Sequence, residues 1–148
     1  MLELVSREFG QEIGEGQFAF PGWVKLLEIG EQSLRALKLG YRARYVAQTA
    51  KRVSPAFFDE LQSADYPTAK AMLVALPGVG EKIADCVCLF GLGHLEAFPV
   101  DTWIIQAMSD IYGLDGWSNP QIAHFGRTHF GNYAGLAQQF LFSWMRRR

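Results

Sequence analysis

The chain has 148 residues, with 14 Lys and Arg against 15 Asp and Glu, 49% hydrophobic residues and two cysteines. That length suits a single domain over 1–148, and the apolar fraction excludes intrinsic disorder. No apolar run approaches the roughly 18 residues of a membrane span, and two cysteines, Cys86 and Cys88, exclude a disulfide framework, an iron–sulfur cluster and an all-cysteine zinc site, which fits a reducing cytoplasm.

Helical spacing dominates the pattern. Leu2, Val5 and Phe9 share one face of a first helix. Phe20-Pro21-Gly22 breaks the chain, and Pro21 suits the first turn of a short helix through Leu27. Gly30 separates it from a helix near Glu31–Leu37, which Gly40 can cap. Tyr41 to Val53 reads as a helix, Ser54-Pro55 starts the next, and Asp65 to Ala75 forms another. A short loop, Leu76-Pro77-Gly78-Val79-Gly80, precedes a helix from Glu81 to about Leu92. His94 to Pro99 is extended, and Asp101 can cap a helix reaching Tyr112. Asn119-Pro120 opens a helix to about Phe130, and Asn132 opens the last, to about Met145. No period-2 strand stands out, so the expected fold is all-α, a helical bundle with short loops.

Charge is unevenly spread. Residues 1–31 carry six acids and two bases, whereas 35–52 carry six bases and no acid. Residues 53–126 carry nine acids and two bases, and 127–148 carry four bases and no acid. Such asymmetry marks either a polyanion-facing patch or a solvated helix face with a charged tail.

The loop 76–80 is the most informative segment. Two helices joined by five residues, with glycines at the third and fifth, make a tight hairpin over 66–92. Gly78 and Gly80 permit left-handed φ and let another backbone come close. Successive N–H groups would then point outward at a helix start, a phosphate site that needs no lysine cluster. A helix–turn–helix connection without any ligand would use the same residues. Lys82 falls in the first turn of the following helix, and Cys86 lies one turn later on the same face. Asp101 lies nineteen residues beyond Lys82. A lysine and a carboxylate in one cleft suit amine nucleophile chemistry with support for a cationic sugar. The alternative pairs Lys82 with Asp85 on the surface and leaves Asp101 as a simple cap.

The segment LPGVGEKIADCVCLFGLGHLEAFPVDTW resembles the helix-hairpin-helix and following Gly/Pro–Asp region of DNA glycosylases, within them the 8-oxoguanine DNA glycosylase/AP lyase branch of bacterial type. Leu39-Gly40-Tyr41-Arg42-Ala43-Arg44-Tyr45-Val46 is a second match, and Tyr133-Ala134-Gly135 through Gln138 to Phe142 a third. The resemblance covers nearly the whole chain. It implies that Lys82 attacks C1′ of the damaged nucleoside, expels the base and forms a Schiff base, with β-elimination following. It assigns Asp101 to support of the cationic sugar. Cys86 and Phe142 would sandwich the extruded base, and Gln138 would read its edge. Tyr41 would wedge into the vacated space and Arg42 read the estranged cytosine. Gly78, Gly80 and Ile83 would offer N–H groups to a phosphate. The carbonyls of Val74, Leu76 and Val79 would hold a structural K⁺ or Na⁺. Catalysis would need no cofactor. The implied partner is double-stranded DNA carrying oxidised guanine or an abasic site, with no membrane and a cytoplasmic, nucleoid-associated location.

Two features depart from the family pattern. Full-length relatives carry an N-terminal β-rich domain and first bundle helices that precede the part matched here. A missing segment or a partner chain would cover the apolar face that this leaves. Trp103 stands where several relatives have a histidine that contacts phosphate. The residues alone leave two rival readings: a non-catalytic helix-hairpin-helix DNA-binding module, and a helical interaction domain. A fragment that keeps only AP lyase activity is a further expectation of the departures.

Overall fold

The computed structural model describes residues 2–148. The chain divides into two compact units, Met1–Glu60 with Leu76–Gly78, and Leu61–Ala75 with Val79–Arg148.

In the first unit, α1 (Leu2–Phe9) buries Val5 into a core with Leu34, Leu39, Ala43 and Ala47. Leu34 closes α2 (Trp23–Leu34), and the two alanines belong to α3 (Arg42–Ala50), where small side chains let helices approach closely. Gly30 breaks the regular backbone of α2 at φ 72, ψ 173, where the sequence places a separation between two helices. A π turn, Arg35–Leu39, links α2 to α3. Helix α4 (Pro55–Ser63) leads out of the unit.

One element was not expected. Strands β1 (Glu12–Gly14) and β2 (Gln17–Phe18) pair antiparallel. They are too short for polar–apolar alternation to show, and their turn rests on Gly16 at φ +70, whose N–H donates to Glu12 Oε1. The fold remains predominantly α-helical, and this ribbon is the only sheet among the described residues.

The second unit holds α5 (Tyr66–Val74), α6 (Glu81–Gly91), α7 (Thr102–Tyr112), α8 (Asn119–Phe130) and α9 (Ala134–Arg147). The expected cap at Asp101 forms, and Asp65 supplies a second. Asp65 accepts from Thr68 N at 3.1 Å, and Asp101 accepts from Ile104 N at 2.9 Å. A 3₁₀ turn over Gly131–Tyr133, rather than Asn132 as a cap, leads into α9. Phe98, Val100, Ile104, Met108, Ile122 and Ala134 form the core. No helix among the described residues is long and apolar enough to cross a membrane.

Two glycines fix how the extended segment before Asp101 sits. A Cβ at Gly126 would lie 2.6 Å from the Phe98 ring. A Cβ at Gly135 would lie 2.3 Å from Leu89 and 2.8 Å from the Ala97 carbonyl, and the Gly135 N–H donates to Leu95 O at 2.7 Å. Leu136, Phe140 and Trp144 lie exposed at i, i+4 and i+8 on α9.

Gly135→Ala should therefore cost about 1–3 kcal/mol, because backbone carbonyls cannot step aside for the methyl group. Gly91→Ala, whose Cβ would meet Val87 at an ordinary 3.7 Å, is the control. Thermal unfolding should show a lowered Tm for the first variant only.

Candidate active site and nucleic-acid interface

The hairpin glycines differ in kind. Gly78 adopts φ +76, and a Cβ there would lie 2.4 Å from the Tyr45 ring, so conformation and contact both require glycine. Thr49 Oγ1 donates to Pro77 O at 3.4 Å, a second tie from α3 to this part of the loop. Gly80, which could take a left-handed φ, is instead extended at φ −92, ψ 174 and caps α6 with open space where a Cβ would stand. Its lack of a side chain leaves the first N–H groups of α6 uncovered.

Tyr41 and Arg42 sit at the start of α3, both exposed, with the Arg42 guanidinium 4.8 Å from the Tyr41 ring centre. Lys38 precedes them at φ 64, the one non-glycine residue with positive φ among the described residues. That turn drops Leu39 into the core and presents Tyr41 outward. Tyr45 meets Tyr41 edge-on at 6.2 Å.

Lys82 stands exposed in the first turn of α6, on a ridge between two hollows. One is a cavity of about 350 Å³ that Lys82 shares with Lys70, Asp85, Val100, Asn119 and Arg127. The other is a shallow groove beside Ile83, Cys86, Val87 and Phe90. Val100, which lines the first, directly precedes Asp101, whose own side chain is not part of that lining. The charged groups of Lys82 and Asp101 are not in ion-pair contact, and Asp101 Oδ1 is committed to Ile104 N.

The surface pair Lys82–Asp85 does not form. Asp85 is buried, accepts from Tyr66 Oη at 2.7 Å and takes Lys70 Nζ at 3.0 Å. Lys70 Nζ also lies 2.6 Å from Glu81 Oε2. Burial, then the bond to Asp85, pushes the Tyr66 hydroxyl well above its ordinary pKa. Burial and the same carboxylate push the Cys88 thiol up to about 11. Sequence reasoning missed this network. The signal for it was two i, i+4 pairs on facing helices, Tyr66/Lys70 on α5 and Glu81/Asp85 on α6.

The expected base-binding residues are not gathered into one hollow. Cys86 lines the groove on α6. Phe142 lies on α9 against the core, with the Arg146 guanidinium 5.6 Å from its ring centre. Gln138 is buried, its Nε2 donating to Pro99 O at 3.0 Å and its Oε1 accepting from Gln139 Nε2. Trp103 is exposed two residues beyond Asp101. No cluster of three or more His, Cys, Asp or Glu among the described residues could hold a metal ion.

A helical bundle that presents a solvent-facing lysine just after a glycine hairpin, near an aspartate-capped helix, has the organisation of a DNA base-excision domain. Comparison with known proteins bears this out: residues 3–126 match the model of the HhH-GPD superfamily base excision DNA repair proteins, and the chain belongs to that family. It is 36% identical over 115 residues to a probable N-glycosylase/DNA lyase of Methanothermobacter thermautotrophicus, covering 77% of this chain and 37% of the relative. It is 35% identical over 136 residues to the N-glycosylase/DNA lyase OGG1 of Arabidopsis thaliana, covering 83% and 37%. The Clostridium acetobutylicum 8-oxoguanine glycosylase/lyase, in complex with double-stranded DNA containing cytosine opposite 8-oxoguanine, superposes with a TM-score of 0.91 at 33% identity, over 99% of this chain and 52% of that one. The chain thus spans about a third to a half of the length of these relatives.

Two predictions follow from the geometry. Tyr66→Phe removes one bond to a buried carboxylate and should cost about 1.5–3 kcal/mol in chemical denaturation. Thiol titration of the folded chain should label Cys86 first and Cys88 only on unfolding. The unfolded chain loses the Cys88 proton near pH 9, before the folded one does. Stability from this group is complete below that pH and lost as pH rises towards about 11.

Proposed function

We propose that this chain performs lysine-based chemistry on damaged DNA, excising 8-oxoguanine and cutting the strand at the resulting site. The single observation that carries the reading is Lys82: an exposed amine without a carboxylate partner, at a helix start, on the rim of a cavity. Lys82 Nζ attacks C1′ and the N-glycosidic bond breaks, so the base leaves with the bonding pair. The sugar ring opens to an imine. A proton then leaves C2′ and the C3′–O bond breaks, which is β-elimination. Asp101 supports positive charge on the sugar, and its fixed position as the cap of α7 costs nothing to reorganise.

The base must leave the duplex stack to expose C1′. Cys86 and Phe142 supply a soft sulfur and an aromatic face for it. Gln138 supplies an amide for its edge, which requires exchange of its present bond to Pro99. Tyr41 fills the vacated space, and Arg42 reads the opposite cytosine. The N–H groups of Gly78, Gly80 and Ile83 meet phosphate where Gly80 leaves the approach open. The carbonyls of Val74, Leu76 and Val79 seat K⁺ or Na⁺. Val74 ends α5, so its carbonyl is among those the helix leaves without an internal partner. The stripe Leu136, Phe140 and Trp144 offers a docking face to a further segment or a partner chain.

A second reading has its own support. The groove at Cys86 includes neither Phe142 nor Gln138, which favours a lyase that acts on abasic sites without recognising a base.

Borohydride trapping on duplexes with 8-oxoguanine or an abasic site tests both. An adduct with each substrate, lost in Lys82→Gln, supports excision with cleavage. An adduct with the abasic duplex alone supports the lyase. DNA binding without an adduct on either overturns the enzymatic reading. Asp101→Asn keeps an oxygen for the cap, so it should preserve Tm yet lower the trapping rate by about a hundredfold or more.

A further inference from the structure

Lys82 has two acidic neighbours on its own helix. Glu81 is adjacent, Asp85 lies one turn on, and both line the cavity that Lys82 faces. Asp85, three residues on, shares a helix face with Lys82 and would ordinarily draw an ammonium so placed into an ion pair, and a long Glu81 side chain at the rim is the other acid within the cavity. Neither pairs with Lys82, because Lys70 on α5 holds both, at 2.6 Å from Glu81 and 3.0 Å from Asp85. Tyr66 adds its hydroxyl to Asp85 at 2.7 Å. The other cation on the cavity, Arg127, leaves both carboxylates to Lys70: its guanidinium lies 5.9 Å from the Tyr66 ring centre, and its Nη1 is buried without a partner.

We propose that Lys70 is a positioning residue for Lys82. By occupying Glu81 and Asp85 it denies them to Lys82, whose amine then points to the substrate with no competing ion pair. Lys70 touches neither the substrate nor the reacting atoms. The proposal rests on the lysine chemistry above, and it names the feature that lets a nucleophile survive between two acids. Nucleophilic addition needs the lone pair on Nζ, and a carboxylate that captured this side chain would hold it as ammonium, turned from the sugar.

The test is the single-turnover rate of borohydride trapping on an abasic duplex. In each event Lys82 Nζ adds to the C1′ aldehyde, water leaves, and hydride from borohydride reduces the C=N bond. Four proteins are compared: the natural chain, Lys70→Met, Lys70→Arg, and Lys70→Met with Glu81→Gln and Asp85→Asn. Lys70→Met should trap about tenfold or more slowly at unchanged DNA affinity, because a released carboxylate captures Lys82. Lys70→Arg should restore the rate. The triple variant should restore it too, since no rival acid remains, and a residue serving only stability would not show that rescue. A folded Lys70→Met that traps at the natural rate overturns the proposal, as does a triple variant that stays slow. If Lys70→Met fails to fold, the triple variant decides alone in the same way. A natural chain with no Lys82-dependent adduct overturns the lysine chemistry itself and not the role of Lys70.

Discussion

A buried carboxylate organises the second unit. Asp85 sits beneath the first turn of α6 and takes a hydroxyl and an ammonium from α5. Desolvating a carboxylate is expensive, and only full satisfaction of its lone pairs makes the arrangement tolerable. Apolar residues of similar volume could make the interior as stable. What they would not supply is a fixed relation between the two helices of the hairpin. The spacing of Tyr66 and Lys70 on one helix matches that of Glu81 and Asp85 on the other, so the polar contacts select one register. The start of α6, with its uncovered N–H groups and Lys82, inherits that register.

The glycines work by a different physics at each place. At Gly126 and Gly135 they allow Phe98 and the 95–97 backbone to press against helices, which sets the path of the chain into Asp101. At Gly78 the requirement is both a left-handed backbone and the face of Tyr45. Close contact of this kind, rather than charge, shapes the hairpin surface. The net charge of −1 is therefore no obstacle, since helix-end amides and a few well-placed cations can meet a polyanion locally.

Much of this was legible because it is local. Asp101 announces itself as a cap by residue type and by the helical spacing that follows it. Lys82 and the hairpin glycines fall within a few residues of one another, so a linear pattern captures them. The Tyr66–Asp85 and Lys70–Asp85 bonds span nineteen and fifteen residues, and no local rule pairs those positions. The ribbon at 12–18 was hidden for the opposite reason: its strands, three and two residues long, are too short for alternation to show. For Gly80, composition cannot separate a glycine that takes a left-handed torsion from one that leaves open space, and the structure shows the second. Gln138 and Phe142 were identified on α9, but the bond of Gln138 to Pro99 is a tertiary fact that spacing does not carry.

That emptiness at Gly80 has a consequence of its own. Its backbone angles are open to every amino acid, and nothing in the fold crowds the site. Folding therefore exerts no veto at this position. Any pressure to keep it bare comes from outside the molecule, from whatever visitor must reach the amides behind it. A position indifferent to the protein's own architecture is one where an added side chain would leave stability alone and change only what can approach.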